Sequence, residues 1–280
     1  MKKIIAMLLA LMLVLTCFAA CGSAPAADEA GSNDAVQADD SKTADDGSDL
    51  AFVQSNGKLV VGITDYAPMD YKDDNGEWTG FDAEFARLFA EELGVECEFF
   101  VLADWGKKIF ELDSKNIDCV WNGMTITEEI LLTSSVSDPY VINAQVVVMK
   151  ADVVGNYADA ESMKDLTFAV ESGSAGEAAL NDAGLTKYVA VQDQGAAVME
   201  VAAGTSDACV IDITMANAMT GEGTSYADLT YNVSLTEEEY GVSFRKDSDL
   251  TAKFNEFMAS LKADGTLQEL AAKYELTLAD

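Results

Sequence analysis

Residues 118–140, DCVWNGMTITEEILLTSSVSDPY, have the residue types of a ligand-binding turn between a strand and a helix. Val120 and Trp121 suit a buried strand, and Gly123 lets the backbone come close to another group. Thr127 is a typical N-cap residue ahead of an apolar run. The N–H groups at such a helix start, together with its dipole, attract polar or anionic groups. Since strand-to-helix turns occur throughout α/β domains, this pattern needs support from the rest of the chain.

The composition excludes several kinds of chemistry. The chain has no histidine, so histidine-based metal centres and Ser-His or Cys-His nucleophile pairs cannot form. Cys97, Cys119 and Cys209 lie in apolar runs, where free cysteine acts as a small buried hydrophobe. We therefore expect no metal and no cofactor. The net charge of −32 argues against nucleic acid and anionic membrane surfaces as direct partners.

The first 20 residues have the features of a secretory signal peptide, with two lysines, an apolar run and a pair of small residues at the end. Cys21 follows directly, and this order resembles the lipobox of a bacterial lipoprotein, in which the cysteine is lipidated and becomes the mature N-terminus. Phe18 stands where lipoboxes usually carry an aliphatic residue. The alternatives are a plainly secreted protein and an uncleaved anchor, for which the apolar run is short.

The next segment, residues 21–55, is rich in Ala, Ser, Gly and Asp, and Phe52 is its only aromatic residue. A segment of this composition buries too little apolar surface to order itself, which predicts a disordered acidic tether. Residues 56–280 are enough for one large domain or two lobes.

This remaining part alternates strand-like and helix-like segments. The run at 58–63 is typical of a buried parallel strand. Asp82 is a candidate cap for a helix that ends before Gly94 and has phenylalanines on its core face. The order predicts two right-handed α/β units and two C-terminal helices. Further strands are expected at 95–101, 145–149, 167–170, 188–191, 207–211, 229–231 and 240–244, and further helices at 105–112 and 195–203.

Several segments, in one order over residues 57–275, together resemble a known family. They are KLVVGITDYAPMDYKDDNGEWTGFD, IDCVWNGMTIT, SDPY, ESGSAGE, SDACVID, EEYGVSFRKDSDL and LKADGTLQELAAKY. The chain is similar to the extracellular solute-binding proteins of family 3, the amino-acid-capturing components of bacterial ABC importers. The resemblance implies an α/β, two-lobed periplasmic-binding-protein-like (type II) fold with two hinge strands and a cleft between the lobes. Lobe 1 is then expected at 57–143 plus 241–280 and lobe 2 at 144–240, with the hinge crossed at 144–148 and 240–244.

The resemblance also implies which residues contact the ligand. Tyr66 and Trp105 match aromatic wall positions. Asp212 matches the carboxylate that holds an α-ammonium, a group that is costly to bury without a counter-charge; the alternative is a solvated loop aspartate. The other implied contacts are the small polar residues and backbone groups of Asn122, Gly123 and Thr125, and the helix N-terminus at Ser174 and Ala175.

One departure from the family concerns the carboxylate of the ligand. Family members usually have an arginine three residues beyond Thr127, and this chain has Ile130, next to two glutamates. Either Lys107 or Lys108 supplies a substitute cation, or the ligand is not an ordinary α-amino acid.

In the second case, Tyr66, Trp105 and Trp121 are candidates for an aromatic cage around an ammonium or guanidinium. The alternative for Trp121 is packing in the core.

The resemblance implies a monomeric binding lipoprotein on the outer face of the cytoplasmic membrane. It would close on an amino acid or an amino-acid-like compound, including a cationic amine, and deliver it to an ABC permease. One alternative is an enzyme of the dehydratase type on the same fold, with Glu171 and Asp212 as acid or base. The missing arginine disfavours that alternative. Another is a ligand-sensing lipoprotein without transport.

Overall fold

The computed structural model describes residues 47–280. The predicted signal peptide, Cys21 and most of the predicted tether lie outside these residues. None of the helices within 47–280 is both long and apolar enough to cross a bilayer.

The described chain alternates short strands and helices. The strands are β1 Lys58–Ile63, β2 Tyr71–Lys72, β3 Trp78–Thr79, β4 Glu96–Val101, β5 Cys119–Val120, β6 Ser135–Val136, β7 Val141–Asn143, β8 Gln145–Lys150, β9 Phe168–Glu171, β10 Tyr188–Val191, β11 Ala208–Asp212, β12 Leu229–Ser234, β13 Glu238–Tyr240 and β14 Ser243–Phe244. The helices are α1 Asp49–Asn56, α2 Phe81–Leu93, α3 Lys108–Asp113, α4 Glu128–Thr133, α5 Ala175–Asp182, α6 Gln194–Ala203, α7 Ile213–Met219, α8 Leu250–Asp264 and α9 Thr266–Lys273.

The first lobe is built on a five-stranded sheet with the order β4-β1-β5-β14-β6. Strand β1 runs parallel to β4 and β5, and β14 returns antiparallel beside β5. Helix α8, the first of the last two helices, packs on this lobe, since the ring of Phe254 lies 5.5 Å from that of Phe85 and 4.9 Å from that of Trp121. The chain end therefore returns to the first lobe.

The second lobe contains the other five-stranded sheet, ordered β10-β9-β11-β8-β12. Strands β9, β10 and β11 run parallel, so their carboxyl ends meet at one edge. Strand β8 lies antiparallel between β11 and β12 and is buried over nearly its whole length. Burial on both faces explains why its sequence, QVVVMK, is a continuous apolar run and not an alternating one.

The two sheets are joined by a short antiparallel pair. Strand β7 pairs with β13, with Val141 opposite Tyr240, and these strands stand between the sheets in chain order. The crossings were expected at 144–148 and 240–244. Most of the first stretch instead belongs to β8 of the second sheet, so the chain crosses just before it, at β7. The second stretch overlaps β13 at Tyr240, and its end belongs to β14 of the first sheet.

The prediction of a disordered tether as far as residue 55 is wrong for its last residues. Helix α1 begins after Ser48, whose Oγ accepts the N–H of Ala51 at 3.0 Å. Asp49 accepts from Arg245 Nε at 2.9 Å, and Val53 is fully buried. One buried ion pair and one apolar anchor order this segment against the first lobe, which its composition does not reveal.

The three cysteines within residues 47–280 are free. Cys119 and Cys209 are fully buried in central strands, and Cys97 is half-buried. They pack as apolar side chains.

Candidate functional site

A cavity of about 470 Å³ lies between the residues that follow β5 in the first lobe and those that follow β9 and β11 in the second. Buried charged groups from both lobes line it, so it is the better candidate for binding a small molecule. A larger recess of about 1320 Å³ lies along β7, β13 and the end of α9. The larger recess contains none of the predicted ligand contacts. The cavity wall contains seven of them: Trp105, Asn122, Gly123, Thr125, Ser174, Ala175 and Asp212.

The side-chain amide of Asn122 is already hydrogen-bonded within the first lobe. Its Oδ1 accepts from Thr64 N at 2.9 Å, and its Nδ2 donates to Thr64 Oγ1 at 2.7 Å. Asn122 therefore ties the end of β1 to the end of β5, and the cavity floor is fixed before a ligand arrives.

The backbone N–H of Gly123, a predicted ligand contact, is also already hydrogen-bonded within the first lobe. Its N–H donates to Asp82 Oδ2 at 2.6 Å. The prediction that Asp82 caps α2 is wrong. Gly80 is the N-cap residue, and Asp82 lies buried inside the lobe.

Tyr66 lies behind Gly123 and not on the cavity wall. A Cβ on Gly123, whose φ is +56°, would approach the Tyr66 ring to 2.6 Å. The Tyr66 hydroxyl forms hydrogen bonds with the hydroxyl groups of Thr214 and Tyr240, each with an O···O distance of 2.5 Å. Tyr66 thus joins the two lobes through a buried hydroxyl cluster.

Trp121 is a core residue. It is fully buried, and its ring packs edge-on against Phe85 at 4.9 Å and against Phe89 at 6.4 Å. Of the three aromatic residues proposed for a cage, Trp105 alone lines the cavity. Tyr66, Trp105 and Trp121 therefore do not form an aromatic cage around this cavity.

Lys108 brings a positive charge to the cavity. It is only 8% exposed, and its Nζ lies 4.7 Å from the Trp105 ring centroid. The same Nζ donates to Trp105 O and Gly173 O at 3.4 Å each. Burial lowers the pKa of Lys108 to about 8, although Glu171 opposes that change, so Lys108 is mainly charged at neutral pH.

Lys107 points away from the site. Its side chain is 65% exposed and pairs with Asp104 at 3.2 Å. Of the two lysines considered as substitutes for the missing arginine, Lys108 is the one in the cavity wall.

Ile130 also lines the cavity, near the N-terminus of α4. Thr127 caps this helix as predicted, accepting from Ile130 N at 3.2 Å. Ile130 is buried among apolar neighbours, while Glu128 and Glu129 are exposed at the cavity rim. This face of the first lobe offers an apolar surface and a negative rim, which disfavours a carboxylate there.

Asp212 ends β11 and is only 4% exposed. Its Oδ1 accepts from the side-chain amides of Asn143 and Gln145, the latter at 2.7 Å, and its Oδ2 accepts from Gln194. Burial raises the pKa of Asp212 to about 7, the nearby Glu238 adds to this rise, and the hydrogen bonds oppose it. The amides orient the carboxylate but leave its charge unbalanced.

Thr125 and Glu238 extend this network to the hinge. Thr125 Oγ1 donates to Glu238 Oε1 at 2.8 Å, and Gln145 Nε2 donates to the same oxygen at 2.7 Å. Gln145 therefore bridges Glu238 and Asp212. The side chain of Thr125 connects the first lobe to the carboxylate network of the second.

Ser174 and Ala175 lie at the start of α5, where the resemblance implies N–H donors. Ser174 Oγ accepts from Glu177 N at 3.2 Å. The first N–H groups of a helix, here those of Ala175 and Gly176, have no acceptor within the helix. Since Ala175 lines the cavity, this helix start can receive a polar group of a ligand.

Glu171 lies at the end of β9, one strand away from Asp212, and is also in the cavity wall. It is 4% exposed. Burial raises the pKa of Glu171 to about 8, Asp212 and Asp193 add to the rise, and Lys108 opposes it.

Sequence reasoning missed the amides of Asn143, Gln145 and Gln194. The available signal was a polar residue at the start of an otherwise apolar strand, QVVVM, and a glutamine directly after the capping residue Asp193. Their shared partner lies 18 to 69 residues away in sequence, so no local pattern connects them.

The two lobes touch beside the cavity. The Cα of Gly106 lies so close to Gly173 that a Cβ on Gly173 would meet it at 2.8 Å. The lobes are therefore in a closed arrangement at this point.

Comparison with known proteins gives consistent results. The sequence model for "Bacterial extracellular solute-binding proteins, family 3" matches residues 59–277. The L-cystine-binding protein TcyJ of Escherichia coli (strain K12) is 31% identical over 229 residues, covering 80% of this chain and 85% of TcyJ.

Two solved structures extend the similarity to the fold. A mutant of ArgBP from T. maritima superposes with a TM-score of 0.75 at 32% identity, covering 81% of this chain and 98% of that one. The ancestral amino acid-binding protein AncCDT-1, a precursor of cyclohexadienyl dehydratase, gives 0.74 at 32% identity, covering 81% and 99%. The predicted two-lobed α/β fold is confirmed.

Proposed function

Because the chain belongs to the bacterial extracellular solute-binding proteins of family 3, we propose that it captures an amino acid or a related amine by closing its two lobes. The bound, closed form would then be recognised by an ABC permease. A ligand can populate that form only if it binds it better than the open form.

The observation that carries this proposal is the pairing of opposite charges across one closed cavity. Asp212 stands on the second lobe with its carboxylate oriented by amides, and Lys108 stands on the first. An α-ammonium would balance Asp212, and an α-carboxylate would balance Lys108.

The start of α5 supports the same orientation. The N–H groups near Ala175 favour a carboxylate through hydrogen bonds and through the helix dipole. Lys108 bonds to Gly173 O, two residues before that helix. A carboxylate between Lys108 and the start of α5 would thus touch both lobes, which is how a ligand stabilises a closed state.

A thermal-shift panel tests the proposal. Amino acids, polyamines, betaines and guanidino compounds are each added to the purified protein. A ligand at about 100 times its Kd adds roughly 2.7 kcal/mol to the free energy of unfolding. One chemical class should raise the melting temperature, and no response from any class would contradict the proposal.

Catalysis of the dehydratase type is a second candidate function. It is favoured by Glu171, a buried carboxylic acid near Asp212 whose pKa of about 8 suits proton donation at neutral pH. Recovery of the bound compound unchanged after incubation would favour binding over catalysis.

We also propose that Cys21 anchors the protein by a lipid to the outer face of the cytoplasmic membrane, and that the protein is a monomer. Metabolic labelling with a fatty-acid analogue should mark the wild type and not the Cys21→Ser variant. A permease and an ATPase encoded beside this chain would favour transport over ligand sensing.

A further inference from the structure

One carboxylate in the cavity has an oxygen without a donor. Glu171 Oε1 is fully shielded from solvent and has no hydrogen-bond partner among residues 47–280. Asp212, one strand away, accepts from three amides. Because buried polar atoms in folded proteins are nearly always bonded, Glu171 requires an explanation.

The charged groups that face Glu171 come from three elements. Asp212 lies at the end of β11, Asp193 caps α6, and Lys108 begins α3. Lys108 is near enough to lower the pKa of Glu171, but its Nζ donates to Trp105 O and Gly173 O. The surroundings of Glu171 are thus mainly negative, and Glu171 is in the cavity wall, so a cation of the ligand would offset this charge.

We infer that Glu171 receives a second cationic group of the ligand, so that the cavity selects amino acids with a basic side chain. This inference rests on the proposed function, in which Asp212 holds the ammonium and Lys108 the carboxylate. With Asp212 and Glu171 ionised and Lys108 charged, these three side chains sum to −1. A basic amino acid, with two cations and one carboxylate, carries the complementary +1.

A neutral amino acid would leave Glu171 without a counter-charge. Its carboxyl group would then stay protonated, as a pKa of about 8 indicates for neutral pH. A basic side chain would favour the carboxylate, and the O–H proton of Glu171 would pass to the buffer. Any ammonium also ionises the protonated fraction of Asp212, whose pKa is about 7. The difference in proton release between a basic ligand and a neutral one therefore reports Glu171.

Isothermal titration calorimetry with two matched pairs tests this inference. L-arginine is paired with L-citrulline, which replaces the guanidinium by a neutral group of the same shape, and L-lysine with L-norleucine. Titrations near pH 7 in phosphate and in Tris give the number of protons released. We expect at least one basic ligand to bind about 10- to 100-fold more tightly than its neutral partner. It should also release close to one more proton.

The Glu171→Gln variant keeps the shape of the side chain and removes its charge. It should bind the basic ligand about 10- to 100-fold more weakly, leave the neutral ligand nearly unchanged, and abolish the difference in proton release. The control is Glu161→Gln, at an exposed glutamate of the second lobe that pairs with Lys164, and it should behave as the wild type.

These measurements distinguish the role of Glu171 from amino-acid capture itself. Equal binding of basic and neutral ligands by the wild type, with equal proton release, overturns the role of Glu171 while amino-acid capture stands. An unchanged preference in Glu171→Gln overturns it as well. Binding of neither arginine nor lysine by the wild type would overturn this inference, whereas the proposed function would be overturned only if no class in the thermal-shift panel raised the melting temperature.

Discussion

The carboxylate of Asp82 holds the backbone of the ligand cavity in place, because its Oδ2 accepts the N–H of Gly123 at 2.6 Å. The same oxygen accepts the hydroxyl of Tyr140 at 2.8 Å. Asp82 lies in the first turn of α2 and Gly123 follows β5, so one buried acid joins a helix, a strand end and the start of the hinge. The cavity floor is therefore fixed by a buried carboxyl group located behind it.

Replacing Asp82 should destabilise the first lobe. In Asp82→Ala the buried N–H of Gly123 and the hydroxyl of Tyr140 lose their acceptor, at about 1–3 kcal/mol each. Asp82→Asn retains one acceptor oxygen and should lose less. Urea unfolding monitored by circular dichroism would measure both variants, with Asp74→Asn, at an exposed residue of the β2–β3 turn, as the control. Equal stability of Asp82→Ala and wild type would contradict the role given to Asp82.

The stability of the ligand-free protein should decrease as the pH rises. Burial raises the pKa of Asp82 to about 7, well above the usual range of an aspartate, and the pKa of the neighbouring buried Asp70 is raised as well. A carboxyl group with a raised folded-state pKa stabilises the fold fully below its unfolded pKa, and this contribution is lost as the pH rises through the folded-state pKa. The buried Glu171 and Asp212 act in the same direction.

We therefore expect the melting temperature to fall by several degrees between about pH 5 and about pH 8.5, and to fall less in Asp82→Asn. Differential scanning calorimetry at low ionic strength would measure both slopes. A melting temperature that rises over this range would show that these carboxyl groups are not buried in protonated form.

Much of the scaffold follows from local sequence. The apolar runs predicted to be strands at 58–63 and 167–170 correspond to β1 and β9. Gly94, the glycine after α2, ends that helix with a backbone conformation in the left-handed region. Apolar periodicity and glycine caps act over a few residues, so they are visible without a structure.

The interior of the site is less predictable, because it depends on contacts between distant parts of the chain. Asp82 has the local pattern of a helix cap, yet its partners are 41 and 58 residues away. The local sequence around Trp121 is compatible with a cavity wall or with the core. Trp121 lies in the core because Phe254 of α8 packs against its ring. Helix α7, which begins directly after Asp212, was not predicted at all.

Asp212 should account for much of the binding energy of the ligand ammonium. Asp212→Asn keeps the size of the side chain and removes the charge, which we expect to weaken binding by about 1.5–3 kcal/mol. Calorimetric titration with the ligand found in the thermal-shift panel would measure the loss. Asp152→Asn, an exposed residue of the same lobe, is the matched control. Unchanged affinity in Asp212→Asn would show that the ammonium lies elsewhere.

Lys108 and Lys107 form a natural pair for testing the carboxylate site. The two residues are adjacent, but one is buried in the cavity wall and the other is exposed. Lys108→Met should weaken binding of L-arginine about tenfold or more and should have little effect on agmatine, which lacks the carboxylate. Lys107→Met should change neither. If Lys108→Met weakened both ligands equally, the lysine would support the cavity structurally instead of contacting a carboxylate.

Closure of the lobes should depend on the absence of a side chain at Gly173. A methyl group there would meet the Cα of Gly106 at 2.8 Å, and Gly173 also has a φ of +71°. Gly184, in the same lobe, has a φ of +73° and open space around it, so Gly184→Ala introduces the same backbone strain without the contact. We expect Gly173→Ala to bind ligand about 10- to 100-fold more weakly than Gly184→Ala, since overpacking costs about 1–3 kcal/mol in the closed state. Small-angle X-ray scattering with saturating ligand should show a larger radius of gyration for Gly173→Ala. Identical affinities and radii for the two variants would mean that the lobes do not need this contact to hold a ligand.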